Sequence, residues 1–149
     1  MQNRRFATDS ASRARDFKVV VAFDDNATSS PALKTCEYVI QQLGNDVQVR
    51  RKIVDFMHTS TPQSRAAAAR EAAKADMVIV ATREDEELPA SMQEWMEDWS
   101  AKRSADEGAL VAILNKTEHA ATGGGIRAQL ANVARLAHMD FFSSEVLPA

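Results

Sequence analysis

A chain of 149 residues, 45% hydrophobic and 26% charged, has the size and mixture of one folded domain with a real core. Its formal charge of −3 gives no reason to expect nucleic-acid binding, which usually shows a basic face, and no apolar run approaches the length of a membrane span. The single cysteine, Cys36, excludes an internal disulfide and points to a reducing compartment, the cytoplasm.

Residues 1–16 are polar and aperiodic, with Arg4, Arg5, Arg13 and Arg15 but no apolar centre. They read as a flexible arm rather than a secretory signal, leaving residues 17–149 as the domain. The first strand runs from Phe17 to Phe23 and gives way to Asp24-Asp25-Asn26. Ser30-Pro31 then supplies a capping hydroxyl and a first-turn proline for a helix whose face is Leu33, Cys36, Ile40 and Leu43, ending at Gly44. Cys36 on that face is read as packing rather than as a nucleophile. Residues 46–56 mix Val47, Val49, Ile53 and Val54 with Arg50-Arg51-Lys52, the pattern of an edge strand carrying charged gatekeepers. Thr61-Pro62 repeats the cap-and-proline start ahead of a helix rich in alanine from Ala66 to Ala75.

The third strand, residues 76–82, is an unalternating apolar run, as in a strand covered on both faces. Pro89 opens a helix in which Leu88, Met92, Trp95 and Trp99 share one face, so both tryptophans are expected in the core. Residues 108–115 form a fourth buried strand. Gly123-Gly124-Gly125 precedes a last helix with the face Ile126, Leu130, Val133 and Ala137, and a short fifth strand spans residues 141–146.

Strands separated by helices require right-handed crossovers and hence a three-layer α/β sandwich around a parallel sheet. For five units the flavodoxin-like order 2-1-3-4-5 is the commonest arrangement, and it makes the gap between the carboxyl ends of strands 1 and 3 the switch point where ligands bind. Asp24, Asp25, Asn26, Thr28, Ser29 and Ser30 reach that rim from one loop, and Thr82, Arg83, Glu84, Asp85, Glu86 and Glu87 from the other. A cofactor is expected against Thr28, Ser29, Ser30, Thr82, Arg83 and Glu84, and a metal at Asp24 and Asp25. Carboxylates crowded there repel one another or recruit a hard cation such as Mg²⁺.

Lys18 to Thr28, with Asp24 and Asp25 after the strand, resembles the start of a response-regulator receiver domain. That resemblance implies Mg²⁺ at the two aspartates; Ala81 stands where the phospho-acceptor would be, and Asn115 where a serine or threonine would be. A longer stretch, residues 75–99, resembles the central segment of NADPH-dependent FMN reductases, through Ala81-Thr82, Glu84, Leu88-Pro89 and Trp99, with Gly123-Gly124-Gly125 and Gln129-Leu130 further on. It implies FMN, although Arg83, Asp85 and Glu86 replace the residues that family sets against the flavin ring, and Asp24 and Asp25 sit beside the hydroxyls of its phosphate loop. The whole chain is also similar to a group of small bacterial proteins, through Leu88-Pro89, Trp95, Trp99 and Met139 to Phe142, which supports the fold and assigns no activity.

His58, His119 and His138 lack metal-ligand spacing, no Gly-x-Ser-x-Gly elbow occurs, and the triple glycine is neither a Walker nor a dinucleotide motif. Two readings follow. The first is a non-catalytic binding or signalling module, a receiver-like domain without its acceptor, for a small molecule or a protein. The second is an FMN-linked oxidoreductase or flavin-binding protein with an altered site. A homodimer is expected through exposed helices.

Overall fold

The computed structural model describes residues 15–24, 26–44, 47–56, 61–83, 88–103, 107–115 and 125–146. Among the described residues nine elements alternate: β1 (Arg15–Phe23), α1 (Asn26–Leu43), β2 (Val47–Asp55), α2 (Pro62–Ala73), β3 (Met77–Arg83), α3 (Ala90–Lys102), β4 (Ala109–Asn115), α4 (Gly125–Leu136) and β5 (Asp140–Val146). The strands form one parallel sheet in the order β2-β1-β3-β4-β5. The expected topology therefore holds, with the basic strand β2 at an edge and β3 central.

Strand alternation divides the core in two. Val20, Ala22, Val78, Val80, Leu110, Ala112 and Leu114 point to the side covered by α2, α3 and α4. Val19, Val21, Phe23, Ile79, Ala81 and Ile113 point to α1, which meets them with Ala32 and Cys36. Residues buried on both faces explain why β1, β3 and β4 read as continuous apolar runs. Trp95 and Trp99 are both fully buried, with ring centroids 5.7 Å apart, edge to face, and Phe56 packs on Trp95 at 5.4 Å.

Several local signals act as expected. Thr61 caps α2 through its side-chain oxygen, which accepts from the Ser64 N–H, and Pro62 occupies the first turn. Gly44 follows α1 with φ of +75°, a left-handed conformation that suits glycine. At the end of α4 His138 takes that conformation instead, with φ of 59°. The Met139 N–H then reaches the Ala134 carbonyl at 2.9 Å, closing the helix.

Two starts are corrected. Strand β1 begins at Arg15, so Arg15 and Asp16, expected in the arm, pair with Val47 and Gln48 of β2. Helix α1 begins at Asn26, so Pro31 lies inside it and Ser30-Pro31 is not its cap. The reason is a bond from Thr28, in the first turn, to Asp24, which draws the helix back to the strand end. At the opposite end of the sheet, Arg103 is buried and donates to the Ala75 carbonyl at 2.6 Å and to the Glu107 carbonyl, fastening the end of α2 to the entry of β4. Burial pulls its guanidinium below the usual range, and nearby Asp76 opposes that. Gly108, at φ of +153°, lies against the same guanidinium, and a Cβ there would collide with it. Among the described residues no helix is long and apolar enough to cross a membrane.

Candidate functional site

Phe23 pairs with Ala81, so the residues that follow, Asp24 and Thr82, emerge side by side from adjacent strands. Between them lies the switch point predicted from topology. The half-buried Asp24 carboxylate accepts from the Thr28 hydroxyl at 2.8 Å on Oδ1 and from the Thr82 hydroxyl at 2.8 Å on Oδ2. Both threonines are fully buried. One carboxylate thus ties β1, β3 and the first turn of α1 together with two charge-assisted hydrogen bonds. Each hydroxyl has a single proton, so neither can donate to a ligand while it holds Asp24.

The other predicted site residues divide. Successive helix residues turn by about 100°, so Thr28 facing inward sends Ser29 and Ser30 away from it. Those serines line a separate open groove of about 480 Å³ on the outer surface of α1, with Leu33, Lys34, Glu37 and Tyr38. Arg83 is exposed at the end of β3, across from Asn115 of β4. Asp25 and Glu84, with Asp85, Glu86 and Glu87, lie outside the described residues, as do His58 and His119. Further along the rim Arg127 of α4 donates to Glu145 of β5 at 2.7 Å.

Among the described residues, two positions at this corner offer no reactive group. Ala81 is a buried methyl facing α1, and Thr82 beside it is engaged with Asp24. Among the described residues no three His, Cys, Asp or Glu side chains gather to hold a metal ion. Cys36 is buried on the inner face of α1, where desolvation raises its thiol pKa and a hydrogen bond from Arg51 partly opposes the rise. A thiol so held is a packing group, as expected.

Two features escaped the sequence reading. The Asp24–Thr82 bond joins residues 58 apart, and the only sequence signal for it was their shared place at the rim. Arg103 carried no signal beyond a basic residue at a helix end.

No protein-family model and no curated protein sequence matches this chain. Among solved structures it is similar to a flavodoxin of Streptococcus pneumonia TIGR4, characterised as a novel drug target. The superposition has a TM-score of 0.56 at 19% identity and covers 90% of this chain and 86% of that one. The fold is flavodoxin-like. In that flavodoxin-like frame the Asp24 corner occupies the β1/β3 crevice in which ligands of such sheets bind.

Proposed function

We propose that this chain is a non-catalytic binding module that receives a small ligand or a protein partner at the carboxyl-terminal rim of β1 and β3, like a receiver domain without its phospho-acceptor. The observation that carries this reading is the engagement of Asp24 with Thr28 and Thr82. A rim that holds a phosphate turns hydroxyl and backbone donors toward the dianion. Here two buried hydroxyls already serve a carboxylate, and that carboxylate would repel a phosphate placed beside it. Ala81, at the end of β3 where a receiver carries its phospho-acceptor, offers none.

The charge of the corner suits a cationic ligand. Mg²⁺ prefers several oxygen ligands in near-octahedral array. Asp24 alone does not supply them, so the metal reading rests on Asp25, the next residue in the chain, joining it. A reducing compartment, in which Cys36 stays a thiol, belongs to the same proposal.

The test is a Mg²⁺ titration of thermal stability in the wild type and in Asp25→Asn, which leaves the Asp24 bonds in place. Ligands that bind only the folded state raise the melting temperature. A rise at millimolar Mg²⁺ that Asp25→Asn abolishes supports a cation at the rim; no rise confines the module to another cationic ligand or a protein. A second reading, flavin binding, draws on the likeness to a flavodoxin over 90% of the chain. Visible flavin absorbance in the purified protein, or quenching of FMN fluorescence at micromolar protein, would overturn the first reading in its favour.

A further inference from the structure

The two edges of the sheet are defended unequally. On β2, three consecutive charges, Arg50, Arg51 and Lys52, occupy the middle of the strand and discourage pairing with another chain. On β5 the charges stand near the ends: Asp140 is its first residue, and Glu145 is tied to Arg127. Between them run Phe141, Phe142, Ser143 and Ser144, with no charge and no proline. Phe142 is 57% exposed, and Ser143 and Ser144 are exposed beside it.

Phe142 also ends an apolar row. Strand register aligns Ile53, Val21, Ile79, Val111 and Phe142 across the α1 side of the sheet. Helix α1 packs on β1 and β3 and more lightly on β4, which leaves the β5 end of that row open. The backbone adds direction. The Asp140 N–H donates to the Gly108 carbonyl at 2.9 Å, so Asp140 faces β4. Backbone direction alternates along a strand, so Phe142 and Ser144 face β4 as well. The N–H and C=O groups of Phe141, Ser143 and Glu145 therefore point out of the sheet.

We propose that β5 pairs antiparallel with β5 of a second copy of this chain across a twofold axis, with Phe142 opposite its symmetry mate. An isologous interface requires a self-complementary patch, and this strand supplies one in that register. Phe141 falls opposite Ser143, both with outward backbone groups, so they exchange two hydrogen bonds and symmetry repeats the pair. Phe142 takes the non-hydrogen-bonded position, where cross-strand side chains approach most closely, and the two apolar rows become continuous. Asp140 falls opposite Ser144, so no carboxylate of the strand faces another. Sliding by one residue would set outward-facing backbone groups against residues whose groups face β4, and the ladder would be lost. The interface differs from the pairing of exposed helices expected from sequence, and it leaves the Asp24 corner untouched.

So short a seam buries less than the roughly 800 Å² per partner of a standard interface, so the dimer is expected to dissociate on dilution. The experiment is sedimentation velocity of the full chain from low micromolar to near-millimolar concentration, with two variants. Phe142→Lys sets two ammonium groups against each other at the axis. Ser143→Pro removes an outward N–H and no bond of the β4–β5 ladder. The expected result is a wild-type mass that rises from one chain to two, while both variants stay monomeric with unchanged circular dichroism. Amide exchange at Phe141 and Ser143 should slow with concentration in the wild type only. If one variant misfolds, the other decides. A monomer at every concentration, a dimer that survives the folded variant, or assemblies larger than two chains would overturn the proposal.

Discussion

Replacing Thr82 by valine tests the Asp24 tie with almost no change of shape. The substitution removes the 2.8 Å bond to Asp24 Oδ2 and leaves the Thr28 bond in place. Hydrogen bonds to charged groups contribute about 1.5–3 kcal/mol, and burying a methyl instead of a hydroxyl returns part of that, so a net loss of about 1–2 kcal/mol is expected. Asp24→Ala should cost more, about 2–5 kcal/mol, because it removes both charge-assisted bonds from two fully buried hydroxyls at once. Urea denaturation followed by tryptophan fluorescence suits the measurement, since Trp95 and Trp99 are both buried and report unfolding directly. In the double mutant the losses should fall short of additivity by about 1–2 kcal/mol, the coupling between groups in contact. A Thr82→Val protein within about 0.5 kcal/mol of wild type, with additive losses in the cycle, would refute the claim that this carboxylate fastens β1 to β3.

Trp95→Ala should destabilise by about 3–5 kcal/mol, since the ring is fully buried against Phe56 and Trp99; a loss below about 1 kcal/mol would place the ring outside the core. His138→Gly should stabilise the protein by about 1 kcal/mol in the same assay, because glycine adopts the left-handed conformation at φ of 59° without penalty. Burial raises the Cys36 thiol pKa, so as pH climbs past about 8.5 the unfolded chain loses a proton that the native protein keeps, and stability falls. Denaturation at neutral and alkaline pH should show a steeper fall in wild type than in Cys36→Ala; equal slopes would mean the thiol is not desolvated.

Much of the architecture is legible in the sequence because it follows from periodicity. Unbroken apolar runs at Val19 to Phe23, Val78 to Ala81 and Leu110 to Leu114 mark strands covered on both faces, and all of these residues but the half-buried Val111 are buried. Leu88, Met92, Trp95 and Trp99 recur at helical spacing and share one buried face. Thr61-Pro62 and Gly44 act through backbone geometry within a few residues of themselves. Such signals need no distant partner, and the alternation of strands and helices constrains the topology because parallel neighbours require right-handed crossovers.

The site was decided elsewhere. Ser30-Pro31 is a sound local start signal, yet α1 begins at Asn26 because Thr28 is held by Asp24. The sequence brought Asp24, Thr28 and Thr82 to one rim, where they read as separate groups awaiting a ligand. Only the pairing of Phe23 with Ala81 sets Asp24 beside Thr82 and turns those groups into donors and acceptor for one another. Ser29 and Ser30, adjacent to Thr28 in sequence, are carried to another surface by the turn of the helix. Arg103 meets its carbonyl partners only because the end of α2 and the entry of β4 converge on it. A hydrogen bond is made at about 3 Å and lost a residue away, so the bond between residues 58 apart depends on strand register, whereas apolar burial tolerates the same small shifts and is written in the pattern of the chain.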